Sequence, residues 1–321
     1  MSIRIIEGFA AAREHVARLR SGAETALPAS LAEGLRGVFG RDLSPQEAVT
    51  QIVADVRREG DAALRDYSRR IDGADLETFA VDAGAIAAAY AATPSDLRDA
   101  LHLAADRIRA FHQREPRQSW LEWDGEGGAL GQMIRPLQRV GVYAPGGAAA
   151  YPSSLLMAAI PAQVAGVEEI IIATPPVLRH RNDSGTPQAQ DAPRAQGAPV
   201  VLAAAHVAGL EQAYLLGGAQ AIAALAYGTE SVPRVDKIVG AGGLFVTLAK
   251  KRVYGDVGID GLYGPTETLL LADESAAPVT VAADLLAQAE HDPLATALLV
   301  TPSARLAEAV QAAVARQLPA L

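Results

Sequence analysis

Residues 140–154, Val-Gly-Val-Tyr-Ala-Pro-Gly-Gly-Ala-Ala-Ala-Tyr-Pro-Ser-Ser, decide the fold. A short apolar run over 140–143 breaks off at a turn, 144–147, that carries proline and two glycines, and a helical stretch follows over 153–165. The unit then recurs. A β-branched strand over 169–173 ends at Thr174-Pro175-Pro176, and a helix over 199–208 leads to a strand over 213–216. Gly217-Gly218 opens a helix over 219–227, and a strand over 236–239 meets Gly240-Ala-Gly-Gly243 before a helix over 244–254. A strand over 269–272, a helix running up to His291, a strand over 297–300 and a helix over 303–317 complete the rhythm. Strands alternating with helices of this length predict an α/β fold of right-handed βαβ units, with a parallel sheet covered on both faces. Ligands of such sheets sit beyond the carboxyl ends of the strands, where the three glycine turns fall. None of the turns reads Gly-x-Gly-x-x-Gly, so the standard dinucleotide fingerprint is absent.

Upstream of this pattern the chain is helical. Ser44-Pro45-Gln46-Glu47 predicts a helix start, with a hydroxyl cap, proline in the first helical position and Glu47 closing a capping box. That helix is expected to stop at Gly60, with others over 61–70 and 94–114 and a short strand at Phe79-Ala-Val81 between them. Residues 179–197 break the rhythm: they hold no Phe, Tyr or Trp, and Thr186 is their only β-branched residue. That composition predicts a mobile surface excursion.

The bulk numbers exclude several function classes. With 321 residues and 50% hydrophobic content, the chain can bury a large core. A net charge of −9 argues against a nucleic-acid partner or an acidic membrane surface. Lys250-Lys251-Arg252 reads as a solvated helix face. The cysteine count is zero, which excludes disulfides and zinc sites of the cysteine type. With no apolar signal core at the N-terminus, a cytoplasmic protein is expected.

Asp284-Leu-Leu-Ala-Gln-Ala-Glu-His-Asp292 is the stretch with metal chemistry in it. Val281, Leu285 and Leu286 recur at helical spacing, so one face should be buried. Gln288 and His291 stand three apart near the helix end, where an amide oxygen and an imidazole nitrogen can converge on a divalent metal. Taken alone, the pair reads far more readily as a polar helix end, with His291 favouring the C-terminal dipole, since a closed metal site needs about four ligands.

Several blocks in fixed order resemble the histidinol dehydrogenase family. They are 140–154, Leu216-Gly-Gly-Ala-Gln-Ala-Ile-Ala-Ala-Leu-Ala-Tyr-Gly-Thr229, Val235-Asp-Lys-Ile-Val239, Gly258-Ile-Asp-Gly261, Gly264-Pro-Thr-Glu267, Leu271-Ala-Asp-Glu274 and Leu286-Ala-Gln-Ala-Glu-His-Asp292. The resemblance implies two Rossmann-like parallel-sheet domains, one of them discontinuous. Residues 1–24 would be an N-terminal arm, 25–142 plus 268–321 the discontinuous domain, and 143–267 the inserted one. It also implies a homodimer that takes no nucleic acid and no membrane as partner. The activity implied is oxidation of L-histidinol to L-histidine in histidine biosynthesis, by two NAD-linked hydride transfers through a held aldehyde, with zinc orienting the amino alcohol.

Carried over position by position, the resemblance makes Gln288 and His291 metal ligands and substrate contacts, and Thr266 a substrate contact. Tyr143, Gln220 and Gly243 would lie at cofactor positions. Two departures stand out. The family's Gly-Pro-Gly-Asn turn is here Gly240-Ala-Gly-Gly243, so an asparagine contact to the cofactor is replaced. The family's Glu-His acid/base pair and its other two metal ligands, an Asp and a His, lie beyond the segment matching Leu321. No catalytic acid or base is therefore assigned, and this chain alone is expected to be inactive or impaired. Two other readings are open at this point: a relative that oxidises another small polar alcohol, and a non-catalytic nucleotide-binding protein.

Overall fold

Ser44 starts its helix as the capping signal requires. The Glu47 N–H donates to Ser44 Oγ at 3.3 Å, and the Ser44 N–H donates back to Glu47 Oε2 at 2.8 Å. Two groups that a helix start would leave unpaired are thus satisfied. The computed structural model describes residues 3–20, 28–146, 150–179, 194–264, 266–292 and 294–320. It forms two compact units, Ser44–Gly264 and Met1–Leu43 with Pro265–Leu321.

The chain opens with α1 (Phe9–Arg20), α2 (Ala29–Phe39), α3 (Pro45–Glu59) and α4 (Asp61–Asp72). Next come β1 (Ala80–Val81), α5 (Ala83–Ala92), α6 (Ser95–His112), β2 (Trp120–Trp123) and β3 (Ala129–Gln132). The βα series follows: β4 (Arg139–Tyr143), α7 (Pro152–Val164), β5 (Glu169–Thr174), β6 (Val177–Arg179), β7 (Arg194–Gln196), α8 (Pro199–Val207) and β8 (Ala213–Leu215). It continues with α9 (Gly218–Tyr227), β9 (Lys237–Val239), α10 (Leu244–Val253) and β10 (Gly258–Ile259). The last elements are β11 (Glu267–Leu271), α11 (Pro278–Ala289), β12 (Thr296–Val300) and α12 (Ala304–Gln317).

In the larger unit the sheet order is β1-β8-β5-β4-β9-β10. Apart from edge strand β1, the strands lie in the chain order third, second, first, fourth, fifth, which is a doubly wound sheet. Val140 and Val142 stand opposite Ile170 and Ile172 on one side and Lys237 and Val239 on the other. The sheet is parallel, as expected, except that β1 pairs antiparallel with β8. A two-residue edge rung needs no crossover helix to reach it. Helices α5 to α8 pack among themselves, and α9 and α10 pack with α3 and α4. Right-handed crossovers put the two groups on opposite faces. Val140, Val142 and Tyr143 are consequently buried in the sheet centre.

Sequence periodicity missed α5. Its sequence, AGAIAAAYAA, is apolar all round and offers no polar face to read. Its start is nonetheless capped, with the Ala85 N–H donating to Asp82 Oδ1 at 2.8 Å. The small side chains let it pack against the apolar α8, whose middle is Ala203-Ala204-Ala205.

The smaller unit holds the parallel pair β11–β12 with α11 and α12. Val281, Leu285 and Leu286 are buried against Leu306, Val310 and Val314, so the expected anchoring face of α11 is present. The larger unit runs from Ser44 to Gly264, whereas the resemblance proposed an inserted domain over 143–267. Within the expected excursion over 179–197, Arg194–Gln196 pairs antiparallel with Val177–Arg179. Residues 180–193 of that expectation lie outside the described residues. Among the described residues, no helix is long and apolar enough to cross a membrane.

Candidate functional site

Strands β4 and β9 are neighbours whose onward connections run to opposite sides of the sheet, to β5 and to β10. A doubly wound sheet opens a crevice at such a point, beyond the carboxyl ends of the two strands. Tyr143 closes β4 there, and the Gly240 turn closes β9. Gly240 has φ of +114°, and a Cβ added to it would collide with the Tyr143 carbonyl oxygen. Only glycine lets the two strand ends approach this closely.

The turn is clamped from behind. Its Gly240 N–H donates to Asp260 Oδ2 at 2.7 Å, and Lys250 Nζ donates to the Gly240 carbonyl at 2.8 Å while pairing with Asp260 Oδ1. Lys250 is 1% exposed, so the expectation of a solvated face over 250–252 fails at this residue. The signal was available: Lys250 falls four residues after Val246 and three before Val253, both buried. Beside the clamp lies an open cavity of about 750 Å³, lined among others by Val140, Met157, Val239, Gly240, Asp260 and Tyr263. Its lining is largely apolar, with Arg117, Arg135, Lys237 and Asp260 among its charged members, which suits an organic ligand.

Tyr143 and Gln220 are brought to the same edge. The Gly218 N–H, at the start of α9, donates to the Tyr143 hydroxyl oxygen at 3.2 Å. Burial pushes the Tyr143 phenol up to about 12, so it stays neutral and able to donate. Gln220 is 1% exposed, and its Nε2 donates to Asp72 Oδ2 at 3.2 Å. Its Oε1 is buried without a hydrogen-bond partner among the described residues, as is the hydroxyl of Thr174 at the end of β5. Sequence reasoning passed over Asp72 and Thr174. Asp72 is the last residue of α4, and only the tertiary fold brings it to Gln220, 148 residues on. Burial raises the Asp72 carboxyl to about 6, against the lowering effect of the Gln220 hydrogen bond. Gly243 caps α10 with φ of −66°, a conformation open to any residue, so the backbone does not require glycine there.

Thr266, Gln288 and His291 gather in the smaller unit. Gln288 lies in the last turn of α11, 9% exposed, and its Nε2 donates to the Thr266 carbonyl at 2.7 Å and to Thr266 Oγ1 at 2.9 Å. With the amide nitrogen committed, Oε1 is the atom left to accept a hydrogen bond or bind a cation. His291 stands two residues past the end of the helix and is exposed, its N–H reaching the Gln288 carbonyl at 3.4 Å. The two side chains are therefore one turn apart, but only Gln288 is held by packing. Among the described residues, no group of three His, Cys, Asp or Glu side chains could hold a metal ion.

The chain as a whole has known relatives. A family model described as histidinol dehydrogenase matches residues 41–321. The chain belongs to the histidinol dehydrogenase family. The histidinol dehydrogenase of Moorella thermoacetica is 54% identical over 275 residues, which are 85% of this chain and 61% of that protein. The Thermus thermophilus histidinol dehydrogenase is 50% identical over 292 residues, 89% of this chain and 66% of the relative. A crystal structure of histidinol dehydrogenase from Elizabethkingia anophelis superposes with a TM-score of 0.70 at 34% identity, covering 91% of this chain and 65% of its own. This histidinol dehydrogenase-family chain thus spans about three fifths of the length of the first relatives it matches.

Proposed function

We propose that the chain carries the cofactor-binding and alcohol-orienting portions of an NAD-dependent enzyme of histidine biosynthesis. The enzyme would oxidise L-histidinol to L-histidine through a held aldehyde. The observation that carries this reading is the family match over residues 41–321. The orphaned Oε1 of Gln220 supports a cofactor there, because a buried acceptor without a donor is costly until a ligand supplies one. Bound NAD would accept the hydride.

The protein's own residues bind and orient. Gln220 Oε1 would accept a hydrogen bond from a bound cofactor, and the neutral Tyr143 phenol is held in place by the Gly218 N–H. Gln288 Oε1 and the His291 imidazole would be the donors offered towards the amino alcohol and a metal, and Thr266 keeps the Gln288 amide from turning over. Gln288 and His291 supply only two donors, short of the four that zinc takes in a closed site. These residues alone do not fit a complete zinc site. No residue of the chain is assigned as the base. A cytoplasmic homodimer fits the family and the acidic, cysteine-free composition.

The test is NADH formation from L-histidinol. The 321-residue chain should bind NAD+ yet form no NADH at an enzyme-like rate. The same chain joined after Leu321 to the C-terminal portion of the Moorella thermoacetica relative should oxidise L-histidinol. A folded hybrid that binds NAD+ and oxidises another amino alcohol in preference would overturn the substrate assignment.

A further inference from the structure

We infer that Asp72 is a positioning residue, whose carboxylate fixes the Gln220 side-chain amide so that Oε1 is presented to the cofactor. The inference rests on the reading of Gln220 as a cofactor contact.

The argument begins with what each group can do. An amide side chain has a donating end and an accepting end of nearly equal size, so an unconstrained glutamine presents either. An ionised carboxylate only accepts. The end of Gln220 that faces Asp72, 3.2 Å away, must therefore be the NH2 group, and Oε1 must face the other way. That direction leads to the glycine turn, where Oε1 lies 3.0 Å from the position a Cβ on Gly218 would take.

The surroundings give Gln220 no alternative partner. Its Oε1 is buried and unpartnered among the described residues, and Thr174 Oγ1, fully buried at the end of β5, is in the same condition. Asp72 Oδ1 borders the same glycine turn, 3.4 Å from the position a Cβ on Gly217 would take, while Thr174 Oγ1 lies 2.5 Å from the position a Cβ on Gly146 would take. Two buried polar atoms on different elements, both left open at the carboxyl ends of parallel strands, point to a ligand with its own donors.

Asp72 is poorly placed for any purpose of its helix. It sits at the C-terminus of α4, where a negative charge opposes the helix dipole, and it is half-buried. Burial has raised its carboxyl, which is a cost to the folded protein. Its side-chain hydrogen bond to Gln220 is what it contributes in return.

NAD+ affinity, measured by calorimetry on the full chain, tests the inference. Unliganded melting temperature is recorded alongside as the structural readout. The variants are Gln220→Leu, Asp72→Leu, Asp72→Ser, Asp72→Asn and the double variant Asp72→Leu/Gln220→Leu. Leucine keeps the shape of aspartate without an acceptor, and serine is too short to reach Nε2. Both should weaken NAD+ about tenfold. Asparagine, which can still offer Oδ1 to Nε2, should recover most of that loss. The double variant should bind no worse than Gln220→Leu alone, because removing the amide leaves Asp72 nothing to position. Wild-type affinity in Asp72→Leu or Asp72→Ser, or losses that multiply in the double variant, would overturn the inference while leaving the Gln220 contact standing. Wild-type affinity in Gln220→Leu, or no NAD+ binding by the parent chain, would remove the cofactor contact itself and the inference with it.

Discussion

At the scale of single residues, Asp72 and His291 differ in what the fold spends on them. The Asp72 carboxyl is raised from 3.8 to about 6 by burial, so the folded chain holds that proton more tightly than the unfolded chain does. Stability from this group is therefore full below the unfolded value near 3.8, declines as pH rises towards 6, and is level above it. Asp72→Asn keeps an acceptor for Gln220 and carries no charge. Its advantage over wild type in urea unfolding should be near zero at about pH 3.5 and grow to on the order of 1–3 kcal/mol by about pH 7. A difference that does not change with pH would refute the buried-carboxyl assignment. His291 is the opposite case, exposed beyond the end of α11. In the Moorella thermoacetica hybrid, His291→Ala should lower zinc content and turnover together, since it removes the one nitrogen donor of this helix end. Metal-free stability should move by less than about 1 kcal/mol, because no core is lost. Equal zinc in variant and parent would end the ligand assignment.

At the scale of elements, the Lys250–Asp260–Gly240 clamp joins α10 to the turn after β9. Lys250→Met would leave the Asp260 carboxylate and the Gly240 carbonyl without their cation inside a mostly buried setting. A loss of about 2–4 kcal/mol is expected in urea unfolding, whereas a solvated surface lysine would cost under about 0.5 kcal/mol. This clamp also shows where sequence reading succeeds and stops. Apart from β6, β7 and β10, the βα series from β4 to α12 was legible because periodicity and turn residues are local, and the three glycine turns duly fall at the ends of β4, β8 and β9. Ser44 announced its capping box for the same reason. Lys250 was lost inside a run of three basic residues, although its spacing from Val246 and Val253 marked it as inward. The β2–β3 hairpin was missed because all eight of its residues are exposed, leaving no alternation to read. Asp72 could not be read at all, since its role depends on a partner far along the chain. Tyr143, Gln220 and Thr266 came from family resemblance rather than from local pattern, whereas Gln288 was marked by its spacing from His291 near a helix end. The structure adds the hydrogen bonds that hold them.

At the scale of the whole molecule, the proposed roles divide along the two compact units. Tyr143, Gln220 and Gly243 fall within Ser44–Gly264, and Thr266, Gln288 and His291 fall in the other unit. The larger unit contains the whole six-stranded sheet and both helical groups that cover it, α3 to α6 included. It begins at the capping box of Ser44, so its first helix is terminated by its own residues. It has a core of its own residues: Val142, Leu156, Ile172, Leu216, Ile222 and Leu225 are all fully buried and all belong to it. A domain of this size with its own core is expected to fold alone. Residues 44–264, expressed by themselves, should therefore give a single cooperative melt and bind NAD+ within about twofold of the affinity of the full chain. They should take up no zinc, because Gln288 and His291 are not among them. A cooperative melt with NAD+ affinity lost would show that residues outside the sheet unit make decisive cofactor contacts, and the assignment to Tyr143 and Gln220 would then be insufficient. A non-cooperative melt would show that the sheet unit depends on the remaining segments for its stability.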